Sequence, residues 1–178
     1  GRTHFGAKSP QTGLLADSSA GGGFAAMLKY AGYDAVVITG KAAAPVMIVI
    51  NNDKIEIREA ERFWGLNTIE TQHRLKKELT HEYKIACIGP AGEKLVPMTS
   101  IITDTRIAGR SGNGAVWGSK NLKAIAIYGD KDVKVADMAK VKELYSDFAK
   151  KAKETLGGLS KYGTTGLPVS INAFGGLG

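Results

Sequence analysis

Cysteine is almost absent from this chain, and its scarcity limits the possible chemistry. Cys87 is the one cysteine among 178 residues. A single thiol excludes an internal disulfide framework, a zinc site built from cysteines, and an iron–sulfur cluster held by this chain alone. Any metal that the chain binds must therefore come with other ligands.

Long apolar runs are missing as well. No stretch approaches the roughly 20 apolar residues that a helix needs to cross a bilayer, and the opening GRTHFG has no signal-peptide pattern. We therefore expect a cytoplasmic protein without a membrane partner. Because the chain opens without Met in strand-like sequence and stops after an apolar run, we also expect a piece of a longer protein.

Proline is scarce but glycine is plentiful, with 5 and 23 residues respectively. The glycine content is roughly twice the usual share, yet no collagen-type repeat accompanies it, which places the excess in turns and loops. With 43% hydrophobic residues, the chain is long enough and apolar enough to bury a core of its own.

The net charge is +7, and its basic residues lie in two different sequence environments. Five of the eighteen lysines lie in the amphipathic segment 135–156 among acidic residues, a pattern typical of a solvated helix face. Arg2, Arg106 and Arg110 instead stand beside Gly, Ser or Thr in loop-like sequence. There a planar guanidinium suits a phosphate or a carboxylate.

The hydrophobic pattern predicts more strands than helices. Because several predicted strands are adjacent in sequence, the fold class is α+β rather than an alternating βαβ array. Asn67 is predicted to cap a helix, with Glu70 in the capping-box position. The predicted strands lie within 2–16, where a turn at Ser9-Pro10 joins them, and at 34–40, 45–50, 54–58, 84–88, 96–103 and 123–128. The strands 45–50 and 54–58 are predicted to form a hairpin. The predicted helices lie at 24–30, 67–79, 115–118 and 135–156, and residues 106–114 are predicted to be a glycine-rich loop.

An internal repeat relates two parts of the sequence. A shift of 89 aligns 22–40 with 111–129 without a gap, pairing Gly23 with Gly112 and Gly40 with Gly129. Each copy is a glycine-rich loop that opens a short helix, followed by an apolar strand. The repeat predicts two pseudo-symmetric β-rich halves, although small residues can also match by chance.

The two glycine-rich loops are candidate anion sites. A helix N-terminus offers free N–H groups, and glycine lets an anion approach the backbone. Two such ends would form a cradle for a ligand with two phosphates or for two phosphorylated ligands; simple tight turns are the alternative. Neither loop has the spacing of a Walker or dinucleotide-binding motif.

Residues for acid–base or nucleophilic chemistry are sparse. His4, His73 and His81 share no metal-ligand spacing, and no nucleophile, base and orienting group stand together. Cys87 is predicted to be a buried apolar side chain in a strand. Asp104 is predicted to form hydrogen bonds with N–H groups of the glycine-rich loop 106–114 or with Arg106.

Four segments, in this order, resemble the N-terminal domain of the tungsten-containing aldehyde ferredoxin oxidoreductases: KSPQTG (8–13), LKYAGYDA (28–35), IGPAGE (88–93) and AGRSGNGAVWGSKNLKAI (108–125). The resemblance covers nearly the whole chain, and 159–166 resembles the segment leading to the family's next domain. It implies a partial pterin-cofactor-binding domain at 1–134, without its opening strands. Residues 135–178 would then be a helix and the start of the connection to absent C-terminal domains.

The resemblance also implies a cofactor. In this family tungsten, less often molybdenum, is held by the dithiolene sulfurs of two pterins whose phosphates are joined through magnesium. Backbone carbonyls of Ser19 and Ile107 would approach the magnesium; the family often has Asn and Ala at these positions, and main-chain contact tolerates both changes. The residues that correspond to the family's cofactor contacts are Arg2, Ser19, Gly21, Arg106, Ile107, Gly109 and Arg110.

The implied enzyme oxidises aldehydes to carboxylic acids and passes electrons to ferredoxin or another carrier. The family's 4Fe-4S cysteines and acid–base residues belong to the C-terminal part, so these 178 residues contain no catalytic residue and are expected to be inactive alone. Their partners would be those C-terminal domains and a small aldehyde, and a homodimer is also open.

Two other functions remain open at this point. One is the catalytic subunit of a reductase acting on aromatic acyl-coenzyme A within the same family. The other is a non-catalytic module that binds a polyanion such as RNA; the lack of an aromatic stripe among the basic residues disfavours nucleic acid. The sequence determines neither the substrate nor the choice of tungsten or molybdenum.

Overall fold

The computed structural model describes residues 1–80 and 82–176 and divides the chain into two compact units, Gly1–Val133 and the residues from Lys134 onward. The first unit contains every strand found in the described residues, together with short helices. The predicted α+β class is confirmed.

A small antiparallel sheet opens the first unit. It consists of β1 (Thr3–Lys8) and β2 (Leu15–Ala20), with His4 opposite Ser19. The turn between them is held by Ser9, whose N–H donates to the Leu14 carbonyl at 2.8 Å and whose hydroxyl accepts from the Gln11 N–H at 3.2 Å. A turn at Ser9-Pro10 was predicted and is confirmed.

A six-stranded sheet forms the centre of the unit, in the order β4-β3-β8-β5-β6-β7. Its strands β3 and β8 are parallel, and the other pairs are antiparallel. The predicted hairpin is confirmed, since β3 and β4 are joined by a two-residue turn in which Asn52 has a φ of 52°. The strands are β3 (Val46–Asn51), β4 (Lys54–Glu59), β5 (Lys84–Cys87), β6 (Ile101–Thr103), β7 (Arg106–Ala108) and β8 (Leu122–Tyr128).

Four α-helices pack around this sheet: α1 (Phe24–Tyr30), α2 (Thr68–Glu78), α3 (Pro90–Glu93) and α4 (Asn113–Ser119). Asn67 caps α2 as predicted, because its side chain accepts a 2.9 Å hydrogen bond from the Glu70 N–H. The single turn α3 was not predicted; Pro90 at its first position favours a helix start.

The core has two parts, one on each face of the sheet. The first contains Phe24, Trp117 and Ile125, from α1, α4 and β8. The second contains Phe63 and Leu75 together with Ile85 of β5. Cys87 belongs to the second part, as predicted. Burial raises the pKa of its thiol to about 12, so the thiol is protonated and unreactive at neutral pH.

An ion pair is buried beside the central strand. Lys123 is the extra residue where the β3–β8 register shifts, since Val46 pairs with Leu122 and Met47 with Ala124. Its side chain is 0% exposed and contacts the Glu93 carboxylate, which is 5% exposed. Lys123 also donates to the Leu66 carbonyl, and the Gly65 N–H donates to Glu93, both at 2.8 Å. The pair therefore ties β8, α3 and residues 65–66 together.

Helices α3 and α4 approach one another through glycine. A Cβ atom added to Gly118 would lie 2.0 Å from the Gly92 carbonyl oxygen, and one added to Gly114 would lie 2.6 Å from the Ser100 carbonyl oxygen. Both distances are far below van der Waals contact, so this packing requires glycine. The same helix α4 follows the second glycine-rich loop.

The strand predicted at 34–40 is wrong. The segment belongs to neither sheet, and the described residues provide no strand beside it. It is held instead by Lys120, whose ammonium donates to the Gly40 carbonyl at 2.9 Å, while the Ala42 N–H donates to the Lys120 carbonyl. The repeat therefore holds for the glycine-rich loops and for the helices α1 and α4. Residues 34–40, which align with β8 in sequence, do not form a corresponding strand.

Two other boundaries differ from the prediction. The strand predicted at 96–103 is confined to β6, because Pro97 has no N–H to give to a ladder and Thr99 turns back to donate to the Val96 carbonyl. The predicted loop 106–114 begins as β7 and ends as the first turn of α4, so α4 starts two residues before the predicted Ala115.

The second unit is helical. It contains α5 (Met138–Thr155), α6 (Gly157–Tyr162), a 3₁₀ turn (Gly163–Gly166) and α7 (Pro168–Ala173). Helix α5 begins after Asp137, whose side chain accepts from the Lys140 N–H at 2.9 Å, and it buries none of its side chains. This agrees with the predicted solvated face. Within the two described ranges, no helix combines the length and apolarity required to span a membrane.

Candidate functional site

The two glycine-rich loops meet in the folded chain. We call residues 19–23 loop 1 and residues 106–112 loop 2. The Arg110 N–H donates to the Ser18 hydroxyl at 3.1 Å, and the Ser111 hydroxyl donates to the Asp17 carbonyl at 2.8 Å. These bonds join segments more than ninety residues apart in sequence, so the cluster exists only in the folded protein.

The base of loop 1 touches the start of loop 2. The Thr103 hydroxyl donates to the Gly21 carbonyl at 3.4 Å. A Cβ atom added to Gly22, whose φ is +93°, would lie 3.3 Å from Cγ of Arg106. The aliphatic part of the Arg106 side chain therefore lies against loop 1, and glycine at 22 leaves room for it.

Arg2 and Ser19 lie on one face of the β1–β2 sheet. His4 pairs directly with Ser19 across β1 and β2, and strand alternation places Arg2 on the same face as His4. The His4 Nδ1 atom lies 3.1 Å from the Ser19 hydroxyl and 3.6 Å from an Asp17 carboxylate oxygen. His4 was not among the predicted site residues; its two-residue spacing from Arg2 was the available signal.

Loop 2 presents Ile107 and Gly109 to solvent. Ile107 is 57% exposed because β7 is an outer strand of the six-stranded sheet. A Cβ atom at Gly109 would meet only the Ile107 side chain at 3.2 Å and the Ser100 hydroxyl at 3.8 Å. Gly112 is different, since a Cβ atom there would lie 2.0 Å from the Pro97 carbonyl oxygen. Glycine at 112 is therefore required by the fold, whereas Gly109 leaves its backbone accessible to solvent.

The charge of the cluster is positive. In the described part of the chain, none of Arg2, Arg106 and Arg110 forms an ion pair. Lys84 adds a fourth cation, because a Cβ atom at Gly23 would lie 3.0 Å from its Cε. Nothing in the local sequence around Lys84 indicated this position, which follows from β5 entering the sheet beside loop 1.

Asp104 does not have its predicted role. Its carboxylate pairs with Lys76 on α2 at 3.2 Å rather than with Arg106. Its carbonyl accepts from the Gln72 side chain at 3.1 Å. With Asp104 turned towards α2, the guanidinium of Arg106 is left for an external anion.

The histidines and acids do not assemble a metal site in the described residues, where no group of three or more His, Cys, Asp or Glu side chains could hold a metal. His73 is exposed on α2, and His81 lies outside the described residues.

The donor set fits an anionic group with phosphates. Arg106 and Arg110 belong to loop 2, and the side chains of Arg106 and Lys84 lie against Gly22 and Gly23 of loop 1. Gly21 and Gly109 leave the backbone accessible, since a Cβ atom at either would meet no backbone atom within 4 Å. Helices α1 and α4 each have seven residues, so their dipoles are small. Affinity would therefore come from charge-assisted hydrogen bonds and backbone N–H groups.

A separate cavity of about 700 Å³ lies between β1, α1 and α4. Its walls are mainly apolar and include Phe5, Phe24 and Trp117, although Arg2 and His4 also line it. Such walls suit an apolar group better than a phosphate, so the charged loops and not this cavity form the candidate site.

Comparison with known proteins gives a consistent match. A sequence model described as the aldehyde ferredoxin oxidoreductase N-terminal domain matches residues 1–129. The chain is 48% identical over 180 aligned residues to the tungsten-containing aldehyde ferredoxin oxidoreductase of Pyrococcus furiosus, covering 98% of this chain and 30% of that protein. It is 46% identical to the same enzyme of Thermococcus kodakarensis, with the same coverage.

A solved structure is also similar. The active site complex BamBC of benzoyl coenzyme A reductase, in complex with 1,5 dienoyl-CoA, superimposes with a TM-score of 0.83 and 43% identity. The match covers 86% of this chain and 24% of that one. The chain thus spans less than a third of the length of each of these relatives.

Proposed function

The chain belongs to the aldehyde ferredoxin oxidoreductase family, through that family's N-terminal domain, and on this basis we propose that it forms the cofactor-binding part of a tungsten or molybdenum bis-pterin oxidoreductase. The observation that carries the proposal is the contact of loops 1 and 2 at Gly22 and Arg106, with Arg110 on loop 2 and Lys84 beside Gly23 as further cations. Cations and accessible backbone N–H groups of this kind suit phosphate groups.

In this proposal the chain binds and orients the cofactor. Arg106 and Arg110, on either side of Gly109, bind phosphate from loop 2, and Arg2 binds from the β1 side. Gly21 and Gly109 let phosphate or pterin approach the backbone. The bound cofactor supplies the redox chemistry, while these residues hold it against one surface.

The magnesium contacts are proposed for main-chain oxygens of Ser19 and Ile107. Support comes from the Ser18–Arg110 hydrogen bond of 3.1 Å, which holds β2 next to the end of β7. The Ser19 hydroxyl is already engaged with His4, which favours a main-chain rather than a side-chain contact at this position.

The activity proposed for the whole protein is oxidation of an aldehyde to a carboxylic acid in the cytoplasm, with electrons passing to ferredoxin or another carrier. A 4Fe-4S cluster and the acid–base residues would come from other domains of the protein. The likeness to the benzoyl coenzyme A reductase complex favours a second candidate, reduction of an aromatic acyl-coenzyme A. Assays of the full-length protein with aldehydes and with benzoyl-coenzyme A distinguish the two.

The direct test is elemental analysis for tungsten, molybdenum and magnesium, together with pterin fluorescence, on full-length protein purified without oxygen. We expect metal and pterin in the proportions of a bis-pterin cofactor. A folded protein without either, which still binds phosphate, would overturn the proposal and favour the polyanion-binding alternative.

Replacing Arg110 by alanine should lower the metal and pterin content. The substitution removes charge-assisted hydrogen bonds to phosphate, each contributing about 1.5–3 kcal/mol. Arg74→Ala on α2 is the matched control, since Arg74 is also exposed but pairs with Glu70. Equal cofactor content in the Arg110 variant and the control would contradict the proposed site.

A Gly109→Val variant in the same experiment separates binding from folding. The first carbon of the new side chain would lie 3.2 Å from Cγ2 of the exposed Ile107 and meet no backbone atom within 4 Å. A small shift of the Ile107 side chain therefore accommodates it, while the backbone approach is blocked. Cofactor loading should fall with little change in the stability of the cofactor-free protein. Equal loss of stability with and without cofactor would instead identify loop 2 as a structural turn.

A further inference from the structure

The turn between β6 and β7 carries a carboxylate close to the proposed phosphate site. Thr103 pairs with Arg106, so Asp104 and Thr105 form a two-residue turn at the end of this hairpin. Arg106, whose side chain lies against loop 1, is the basic residue nearest to Asp104 in sequence. An aspartate at this distance from a phosphate-binding arginine is unfavourable, because a carboxylate competes with phosphate for the guanidinium.

The structure directs this carboxylate away from Arg106. The Asp104 Oδ1 atom lies 3.2 Å from the Lys76 ammonium on α2, and the two side chains are 18% and 29% exposed. Helix α2 packs on the second part of the core through Leu75, whereas Phe24, which follows loop 1, belongs to the first part. Lys76 therefore approaches the turn from the face of the sheet that is opposite to loop 1.

The backbone of the turn is held by other bonds. The Asp104 N–H donates to the Ile85 carbonyl at 3.2 Å. The Asp104 carbonyl accepts at 3.1 Å from the side chain of Gln72, which is buried. Neither bond involves the Asp104 carboxylate. The ion pair with Lys76 thus determines where the carboxylate points, while the path of the backbone is determined by these main-chain bonds.

We propose that Lys76 is a positioning residue that holds the Asp104 carboxylate away from Arg106 and so leaves the Arg106 guanidinium available for phosphate. The inference rests on the proposed function, since it concerns the same phosphate site. A mostly buried carboxylate is unfavourable without a cation. When Lys76 is removed, Arg106 is within reach of Asp104, because the Cα atoms of residues two apart are separated by at most about 7 Å.

Variants at the two ends of the ion pair separate charge from structure. Asp104 has a φ of 49°, a left-handed conformation that asparagine adopts as readily as aspartate. Asp104→Asn therefore keeps the turn and its main-chain bonds but removes the competing charge. Lys76→Met keeps that charge and removes its partner. Both variants break the same ion pair, yet only Lys76→Met should weaken phosphate binding.

The probe is inorganic pyrophosphate, measured by isothermal titration calorimetry on full-length protein produced in cells that make no pterin. Lys76→Met should raise the pyrophosphate dissociation constant by about tenfold, which corresponds to the loss of one charge-assisted contact with phosphate. Asp104→Asn should bind pyrophosphate at least as tightly as the native protein. The double variant Lys76→Met with Asp104→Asn should also recover the native affinity.

Two further variants of α2 are matched controls. Lys77 is the exposed neighbour of Lys76, and Lys77→Met removes the same charge from the helix but leaves the ion pair in place. Lys76→Arg keeps a cation beside Asp104. Both controls should bind pyrophosphate with the native dissociation constant.

Several results would overturn the inference. Equal weakening by Asp104→Asn and Lys76→Met, or a double variant that binds as weakly as Lys76→Met, would show that the ion pair acts by holding the hairpin in place. A Lys76→Met protein with native affinity would show that Asp104 does not compete for Arg106. A native protein without affinity for pyrophosphate would lack the site on which Lys76 is inferred to act.

The cofactor content of full-length protein from cells that make the pterin distinguishes this inference from the proposed function. Tungsten or molybdenum and pterin should fall in Lys76→Met and recover in the double variant. If the native protein contains no pterin but the pyrophosphate constants follow the expected order, the bis-pterin proposal fails and the role of Lys76 holds. If pterin is present and the pyrophosphate constants of native protein and Lys76→Met are equal, the role of Lys76 fails and the bis-pterin proposal holds.

Discussion

Replacing Lys123 by methionine should lower the local stability around β8 by about 3–5 kcal/mol, which is the usual cost of leaving one partner of a buried ion pair alone. The side chain is fully buried, and it provides the cation next to the almost fully buried Glu93 carboxylate. Its loss also removes the donor to the Leu66 carbonyl. Hydrogen exchange of β8 amides in the full-length protein, followed by mass spectrometry, measures the opening free energy directly.

The matched variants are Glu93→Leu and the double variant Lys123→Met with Glu93→Leu. Because two apolar side chains of similar volume need no charge compensation, the double variant should be more stable than the sum of the single losses predicts. Additive losses, or a Lys123→Met protein that exchanges as slowly as the native one, would show that the pair is not the tie between β8 and α3.

Gly118→Ala should be among the most damaging single-carbon changes in the first unit. The new Cβ atom would lie 2.0 Å from the Gly92 carbonyl oxygen. Since this neighbour is backbone, helices α3 and α4 must move apart, at a cost of at least about 3 kcal/mol. Faster exchange should appear in α4 and in β8, which follows it directly in sequence.

The control is Gly6→Ala, in β1, because a Cβ atom there meets nothing within 4 Å. Its stability should change by less than about 0.5 kcal/mol. If Gly118→Ala were as stable as Gly6→Ala, the close approach of α3 to α4 would have to be looser than the structure shows.

Elements whose signals are local could be predicted from the sequence. The β3–β4 hairpin follows from alternating strands around a short polar turn, and α2 follows from helical spacing behind the Asn67 cap. The segment 34–40 shows the limit of such signals. Its β-branched residues are those of a strand, but a strand forms only where another lies beside it, and local sequence does not report that neighbour.

The candidate site was predictable in its parts but not in its assembly. Glycine and arginine in irregular sequence marked loops 1 and 2, and the resemblance assigned them a common ligand. The Lys84 contact, the His4–Ser19 pair and the turning of Asp104 towards Lys76 arise from packing between distant segments. The same holds for Lys123, which the sequence places in a strand without indicating Glu93, 30 residues earlier.

The position of β8 affects how the protein is synthesised. It lies between β3 and β5, yet it is the last along the chain of the eight strands found in residues 1–80 and 82–176. Until Tyr128 leaves the ribosome, the sheet exists as two pieces with apolar edges towards the missing strand. Translation proceeds at about 5–20 residues per second, so the nascent chain carries these open edges for several seconds. Chaperone demand should therefore peak between the emergence of β3 and that of β8.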